Sequence, residues 1–353
     1  MSEIVCACRA GFERDCREEF LQRARQRGTV LRSASPVRGA GFVVISPPQP
    51  DRAEGVLSPL LTPWPVFARQ LFLARAWLPD LPARDRVAAL MTAAAQLDQR
   101  VSEVWVETAD GEATRPLMPL CRGLEHHLRA ALEKSGLLRP DAGLPRLHVF
   151  LTASTSAYLG YADPRHTAPW PMGIPRLRMP REAPSRSVLK LEEALLVFLT
   201  EAERCRDLKP GMFAVDLGAA PGGWSWLLAR QGLRVIAVDN GRIAPAVMAT
   251  GMVEHRREDG FEFRPRNKVD WMVCDIVEQP SRVAQRMSQW FANAWCRHAV
   301  FNLKLPMKQR YVAVAQARAI IERALPGRKF DLQFRQLYHD REEVTGFYRD
   351  LKR

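Results

Sequence analysis

Residues 213–224 have the sequence FAVDLGAAPGGW, and this stretch decides the fold. An apolar run of strand length ends in an acid, Asp216, and a glycine-rich turn then leads into a helix. Glycines adopt backbone conformations that are closed to residues with a Cβ, and they let the backbone approach a ligand closely. The stretch predicts a nucleotide-type binding site, with a purely structural strand-to-helix turn as the alternative.

The spacing of the turn argues against a phosphate ligand. Neither G-x-G-x-x-G nor G-x-x-x-x-G-K-[ST] can be written over residues 216–223, and no Lys follows the turn. A cofactor without phosphate fits better. S-adenosylmethionine (SAM) carries a sulfonium, an amino acid and an adenosine, so its site calls for carboxylates and close backbone contact.

Three further predicted strands also end at an acid, namely Asp239, Asp259 and Asp275. An acid about 20 residues after such a turn commonly binds a ribose diol, which predicts that role for Asp239. We expect Asp259 to contact the adenine edge. Four such strands, linked by helical patterns, predict a parallel α/β sheet with its ligand at the carboxyl edge.

Charged residues accompany the later elements of this half of the chain. A fifth predicted strand, 298–304, ends at Lys304, and Glu342 and Glu343 lie between two closing strands. Ser187 is placed to cap a helix that carries Lys190 in its first turn. The two lysines and several carboxylates could therefore converge on one site from distant parts of the chain.

Composition bounds the class of protein. The chain has 353 residues, 47% of them hydrophobic, a formal charge of +13 and an isoelectric point near 9.9. Because the arginines are spread throughout, we expect a nucleic-acid partner, with coding bias as the alternative. Seven cysteines without a C-x-x-C pair, no signal peptide and no membrane-spanning run predict a cytoplasmic protein with reduced thiols, no metal and no membrane partner.

Prolines and arginines are concentrated between residues 162 and 186, which predicts a domain linker. Trp170 lies among five of these arginines, a mixture suited to backbone phosphates and a stacked base. A stiff, solvated linker is the alternative interpretation. Residues 3–46 before it follow a βαββ pattern that suits a small α+β domain, with strands expected at 3–8, 30–31 and 41–46 and a helix at 13–26.

Several motifs together resemble one enzyme family. Residues 185–194 (SRSVLKLEEA), 216–224 (DLGAAPGGW), Asp275 and 302–304 (NLK) resemble the FtsJ-type RNA 2′-O-ribose methyltransferases, in the same order along the chain. Residues 8–13 (CRAGFE), 170–176 (WPMGIPR) and 337–345 (LYHDREEVT) resemble a bacterial branch of that family that modifies large-subunit ribosomal RNA. The resemblance covers nearly the whole chain.

The resemblance implies a fold and a domain layout. It implies a Rossmann-like SAM-dependent methyltransferase domain with a mostly parallel seven-stranded sheet, preceded by an α+β ferredoxin-like and THUMP region that binds RNA. The predicted segments are a ferredoxin-like subdomain at 1–75, a THUMP-like domain at 76–161, the linker at 162–186 and the methyltransferase domain at 187–353.

The resemblance also implies a reaction and its residues. The reaction is 2′-O-methylation of a cytidine in 23S rRNA, before ribosome assembly is complete, by an enzyme that we expect to be a monomer. The family's catalytic set maps onto Lys190, Asp275, Lys304 and Glu343, with Glu342 as an alternative to the last. The predicted SAM-binding residues are Ser187, Gly218, Ala220, Pro221, Gly222, Gly223, Trp224, Asp239, Asp259 and Asp275.

The chemistry needs a base, because a ribose hydroxyl is a poor nucleophile that must lose its proton as it attacks. Lys304 can act as that base if it is neutral for part of the time, which burial beside a second cation, Lys190, favours. We expect Asp275 to orient Lys304 and to face the sulfonium. Lys190 and Glu343 are expected to position the hydroxyl.

Two other functions compete with this one. Base-directed RNA methyltransferases that act on cytosine C5 need a nucleophilic Cys, often after Pro, and the chain has no Pro-Cys dipeptide. Cys274 precedes Asp275 and should point to the opposite face of its strand. An RNA-binding protein with an inactive SAM fold is the alternative of a different class, and the intact Lys190, Asp275 and Lys304 argue against it.

Overall fold

The computed structural model describes residues 2–48 and 60–351 and divides into two compact units, Met1–Pro175 and Arg176–Arg353. The elements of the first unit are β1 (Glu3–Ala7), α1 (Glu13–Gln26), β2 (Phe42–Ile45), β3 (Gln70–Leu78), α2 (Arg86–Gln96), β4 (Glu103–Thr108), α3 (Met118–Ser135), β5 (Arg146–Ala153) and β6 (Ser156–Ala162). No helix in these described ranges is long and apolar enough to cross a membrane.

The first unit is built on one six-stranded sheet with the order β2-β1-β3-β6-β5-β4. All pairs are antiparallel except β4 with β5. The boundary predicted between residues 75 and 76 falls inside β3, so the two predicted N-terminal segments share this sheet. A strand expected at 30–31 is wrong: Val30 is exposed, and only Arg32 bridges to Ser46.

Residues 162–175 are part of the first unit. They contain two short 3₁₀ turns, and the side-chain amide of Gln70 donates to the Trp170 carbonyl oxygen over 3.2 Å. The backbone amide of Met172 donates to the buried carboxylate of Glu107. The proline-rich segment predicted as a linker is therefore divided, and its first part is anchored by buried polar side chains.

The second unit contains the predicted SAM domain. Its elements are α4 (Val188–Phe198), α5 (Glu201–Asp207), β7 (Phe213–Leu217), α6 (Gly223–Arg230), β8 (Arg234–Val238), α7 (Pro245–Met248), β9 (Val253–Arg256), β10 (Val269–Cys274), α8 (Pro280–Ala292), β11 (Cys296–Lys304), α9 (Arg310–Arg323), β12 (Phe330–Arg335) and β13 (Glu343–Asp350). The strand order is β12-β13-β11-β10-β7-β8-β9, and only β13 pairs antiparallel to its neighbours. This confirms the predicted Rossmann-like, mostly parallel seven-stranded sheet.

The strand order places a crevice beside the glycine-rich turn. From β7 the chain first adds β8 and β9 on one side and then β10 and β11 on the other. Ligands of open α/β sheets bind at such a reversal, outside the carboxyl ends of the strands. Here those ends belong to β7 and β10, whose last paired residues are Leu217 and Cys274.

The third predicted strand is shorter than expected. Strand β9 ends at Arg256, so Asp259 is not a strand-end residue. The Asp259 side chain is exposed, and its Oδ1 accepts a hydrogen bond from the Phe261 amide over 2.8 Å. Because an Asp readily forms this local turn, the chain leaves the sheet before reaching it.

Candidate active site

The turn after β7 requires glycine at its first position. Gly218 has φ +75°, and a Cβ there would lie 2.6 Å from the Ile276 side chain. The Gly218 amide donates to the Val238 carbonyl oxygen over 3.0 Å. The turn is thus held between β8 and the residue after Asp275, with its backbone open to the crevice.

The start of α6 packs closely on the residues before α4. A Cβ on Gly223 would lie 2.2 Å from the Ser187 Oγ and 2.6 Å from the Ser185 Oγ. The indole N–H of Trp224 donates to the Ser187 carbonyl oxygen over 2.8 Å. The predicted capping role of Ser187 is wrong, since its hydroxyl lies 2.6 Å from the Ser185 hydroxyl and bonds no helix amide.

A cavity of about 220 Å³ lies at this crevice. Its lining includes six predicted SAM-binding residues and three others: Ser187, Gly218, Ala220, Pro221, Trp224 and Asp275, with Ser185, Asp216 and Ala219. Two carboxyl groups line it, and none of its lining residues in the described part of the chain is a Lys or Arg. A positively charged sulfonium ligand fits this set of groups, whereas a phosphate would lack a cationic partner.

Four predicted SAM-binding residues lie outside this lining, namely Gly222, Gly223, Asp239 and Asp259. The carboxylate of Asp239 accepts hydrogen bonds from the amides of Ala220, over 3.0 Å, and Gly241, over 2.6 Å. Asp239 therefore connects the end of β8 to the turn that forms the cavity. Its ribose role and the adenine role of Asp259 stay predictions.

Asp216 is the most deeply buried acid of the cavity. It lies inside β7, and its Oδ2 accepts a hydrogen bond from the Ser225 hydroxyl over 2.7 Å. Burial raises the pKa of Asp216 to about 7. Sequence reasoning treated this acid as the end of a strand and assigned it no site role, because burial depends on neighbours distant in the chain.

The predicted catalytic set forms one cluster of charged side chains. The Lys190 Nζ lies 2.8 Å from the Glu343 Oε2 and 3.4 Å from the Asp275 Oδ2. The Lys304 Nζ donates to the other oxygen of Glu343. We call these four residues the lysine cluster.

Strand register explains how the lysine cluster forms. Lys304 pairs with Glu343, and Asn302 pairs with Thr345, across the antiparallel strands β11 and β13. Residues two apart on a strand share a face, so the side chains of these two cross-strand pairs lie on the same face of the sheet. Glu342 is 48% exposed and lies 2.7 Å from Arg310 instead. The geometry selects Glu343 over Glu342 as the cluster's glutamate.

The charges of the lysine cluster support one another. Burial acts to lower the pKa of Lys190, but Asp275 and Glu343 outweigh it and the pKa is raised. Burial acts to raise the pKa of Glu343, but Lys190 and Lys304 outweigh it and the pKa is lowered. At neutral pH both partners are therefore ionised.

Asp275 does not hold Lys304 as expected. Its Oδ2 faces Lys190, and its Oδ1 accepts a hydrogen bond from the Asn302 side-chain amide over 2.9 Å. Lys304 is held by Glu343, because cross-strand pairing places those two residues side by side. The sequence alone does not reveal this pairing, because it depends on the register of a strand about forty residues further along the chain.

Curated relatives match over nearly the whole chain. The Ribosomal RNA large subunit methyltransferase M of Methylococcus capsulatus is 49% identical over 98% of this chain and 97% of its own length. The proteins of the same name from Thauera aminoaromatica and Citrobacter koseri are 48% and 45% identical, over 98% and 99% of this chain and 96% and 97% of their own lengths.

This chain belongs to the ribosomal RNA large subunit methyltransferase M family. Three family models agree: the RlmM ferredoxin-like domain matches residues 1–72, the N-terminal model of ribosomal RNA large subunit methyltransferase M matches 85–163, and the FtsJ-like methyltransferase model matches 183–323. The protein is a SAM-dependent methyltransferase, as predicted.

The chain contains one further positioning residue that the sequence analysis does not identify. Glu193 on α4 is buried, and its carboxylate accepts hydrogen bonds from the amides of Tyr338, over 2.8 Å, and His339, over 2.9 Å. This contact fixes α4 to the loop before β13. Lys190 and Glu193 are three apart on one helix face, so the spacing itself was a usable signal.

A second cavity of about 540 Å³ adjoins Lys304 in this methyltransferase. Apolar side chains form much of its wall, and its lining is Val277, Glu278, Gln279, Pro280, Ser281, Lys304, Leu305, Pro306, Ala313, Gln316 and Ala317. Asp275 lines the first cavity and Lys304 lines the second. The lysine cluster therefore has one cavity at each end.

Proposed function

We propose that this protein transfers a methyl group from SAM to the 2′-hydroxyl of a cytidine in 23S rRNA. The observation that carries this proposal is the lysine cluster, in which Lys190, Asp275, Lys304 and Glu343 meet between two cavities at the carboxyl edge of the sheet. The name that these relatives share supports a large-subunit ribosomal RNA substrate.

The first cavity would hold SAM through the turn backbone at Gly218 and Ala220 and through the carboxyl groups of Asp216 and Asp275. When bound, SAM supplies an electrophilic methyl group on a sulfonium. Asp275 stabilises that positive charge, and Asn302 and Lys190 fix the direction of its carboxylate. The protein thereby aims the methyl group toward the lysine cluster.

The two lysines differ in their partners, and this difference divides their roles. Lys190 contacts two carboxylates, Asp275 and Glu343, which hold it as an ammonium. Lys304 forms an ion pair only with Glu343 among the described residues. We assign the role of base to Lys304: after its ammonium releases a proton to solvent, the nitrogen lone pair accepts the proton of the ribose hydroxyl as that oxygen attacks the methyl group. Lys190 positions the hydroxyl oxygen.

The second cavity provides room for the nucleotide that carries the hydroxyl. Lys304 lies on its wall, so a ribose whose 2′-oxygen reaches the Lys304 nitrogen directs the rest of the nucleotide into this space. Val277 at its rim is 79% exposed, an apolar surface suited to stacking against a base. The target base is therefore kept apart from SAM.

We propose that the first unit and residues 176–186 bind the RNA before ribosome assembly is complete, and that the enzyme acts as a monomer in the cytoplasm. Arg176, Arg178, Arg181 and Arg186 are exposed, as backbone phosphate contacts require. Arg165 is committed to Asp163, 2.7 Å away, so it is a weaker candidate for a phosphate contact.

A base-directed mechanism has less support from the site. Cys274, the cysteine next to Asp275, is buried in β10, and burial raises its pKa to about 12. A thiol with so little thiolate character is a poor nucleophile. The lysine cluster has no part in attack by a cysteine, whereas deprotonation of a hydroxyl uses it directly.

The decisive experiment incubates the purified protein with SAM and either protein-free 23S rRNA or assembled large subunits. The RNA is then digested and its nucleosides are separated by mass. We expect 2′-O-methylcytidine from the free RNA and little product from the assembled subunit. A methyl group on the base, or SAM binding with no transfer to either substrate, would refute the proposal.

A further inference from the structure

A chain of buried hydrogen bonds runs behind the lysine cluster. The Asn302 Nδ2 donates to the Asp275 Oδ1 over 2.9 Å, and the Thr345 hydroxyl lies 2.8 Å from the Asn302 Oδ1. The same hydroxyl lies 3.0 and 3.2 Å from the two carboxyl oxygens of Asp340. Asn302, Thr345 and Asp340 are all completely buried.

Counting protons along this chain shows that one of its carboxyl groups is protonated. With Asp275 ionised, Asn302 must present its NH₂ to Asp275 and its oxygen to Thr345. The single hydroxyl proton of Thr345 is then used in the hydrogen bond to Asn302. The Asp340 carboxyl must therefore be the donor in its own hydrogen bond with the Thr345 oxygen. With Asn302 turned the other way, Thr345 could donate to Asp340, but Asp275 would then have to be protonated.

The surroundings decide between the two acids. Asp275 is 19% exposed and lies 3.4 Å from the Lys190 ammonium, so its charge is compensated. Asp340 is fully buried, and no Lys, Arg or His forms an ion pair with it among residues 2–48 and 60–351. An uncompensated carboxylate is costly in such a place.

The charged groups around Asp340 also favour its protonated form. Burial and then the neighbouring Glu343 raise the pKa of Asp340 well above its usual range; the Leu337 amide and Lys190 act against them, and Glu193 adds to the rise. The Leu337 amide donates to the Asp340 Oδ2 over 3.0 Å. That leaves Oδ1 to carry the proton and donate to Thr345.

We propose that Asp340 is a neutral carboxylic acid that donates a hydrogen bond to the Thr345 hydroxyl. It thereby sets the direction of every hydrogen bond from Thr345 through Asn302 to Asp275. Asp340 is a positioning residue, because it acts on Asp275 and does not reach the reacting atoms. Only the catalytic consequence rests on the proposed function; the protonation itself does not.

Stability against pH tests the protonation without RNA or SAM. Native Asp340 keeps one proton that the unfolded chain, with an ordinary Asp, has released above about pH 4. Raising the pH therefore favours unfolding. Asp340→Asn has no such proton, so the ratio of the wild-type unfolding constant to that of Asp340→Asn should rise about tenfold per pH unit between pH 5 and 7.

Asp207→Asn is the matched control for this measurement. Asp207 is a buried acid of the same unit, and although burial acts to raise its pKa, Arg206 outweighs it and the pKa is lowered. The ratio of the wild-type unfolding constant to that of Asp207→Asn should not change with pH above about pH 5, because Asp207 is then ionised in both the folded and the unfolded state. A flat ratio for Asp340→Asn as well would overturn the proposal.

Methyl transfer then tests the positioning role by conservative rescue. Asn can donate as the neutral acid does, so Asp340→Asn should stay near the wild-type single-turnover rate, while Asp340→Ala falls on the order of 10-fold to 100-fold. Thr345→Ser should retain the rate and Thr345→Val should lose it. If Asp340→Asn and Asp340→Ala lose the same fraction of the single-turnover rate while the unfolding-constant ratio keeps its pH dependence, the positioning role is rejected but the protonation of Asp340 is not.

Discussion

The SAM cavity and the lysine cluster share one edge of the sheet, but they are built in opposite ways. The cavity is formed largely by one contiguous turn, whose shape depends on glycine conformations and close backbone packing. The cluster is formed by side chains from residues 190, 275, 304 and 343, joined by charge. A local turn is vulnerable to added volume, whereas a dispersed cluster is vulnerable to altered charge or proton chemistry.

The largest effect should come from changing the proton chemistry of the cluster. Lys304→Arg keeps the charge but cannot be deprotonated in the working pH range. We expect the chemical step to slow on the order of 10²–10⁴-fold in single-turnover kinetics, with SAM and RNA affinities little changed. Exposed Lys308, four residues on, provides the control Lys308→Arg. A near-wild-type rate for Lys304→Arg would remove it as the base.

The next effect should come from removing the charge that joins the two lysines. Glu343→Gln has the same shape but leaves Lys304 without its carboxylate partner. We expect a loss on the order of 10²-fold in methyl transfer through misplacement of both amines. The adjacent Glu342→Gln should be nearly silent, because it breaks only a partly exposed pair with Arg310. Reversed results for the two variants would contradict the assigned cluster.

The cavity should respond to added volume with a loss of binding. Gly218→Ala places a Cβ 2.6 Å from Ile276 at a positive φ, so the turn must shift. We expect the SAM Kd by calorimetry to rise about tenfold or more. Gly211→Ala has a similar φ, +87°, with nothing within 4 Å, and should cost only about 1–2 kcal/mol of stability. Equal SAM affinity in both variants would show that the turn tolerates the added carbon.

The smallest effects should come from the acids beside the cavity. Asp239→Ala removes the hydrogen bonds from the amides of Ala220, in the turn, and Gly241, and we expect a SAM affinity several-fold weaker with unchanged RNA binding. Asp259→Ala, at an exposed position, should have a smaller effect. Calorimetry on both variants checks which of them loses more SAM affinity. An unaltered SAM affinity in Asp239→Ala would exclude the ribose role of Asp239.

Sequence reasoning worked best where the signal was local. The turn at 213–224, the strand that ends at Lys304 and the helix that carries Lys190 lie where the patterns predict them. The reading was wrong for the end of the third strand and for the Ser187 cap. In both cases a short polar side chain forms a different local hydrogen bond from the one expected, Asp259 with the Phe261 amide and Ser187 with the Ser185 hydroxyl.

By itself, the sequence determined the fold class, the glycine-rich turn and the identities of the charged residues, because hydrophobic periodicity and backbone freedom are properties of neighbouring residues. Only the tertiary structure decided that Glu343 and not Glu342 joins the lysines, and that Asp275 is held by Asn302. It also decided that Asp340 is buried and forms no ion pair with any cation of the described residues. These outcomes depend on strand register and burial, which are set by residues far apart in the chain.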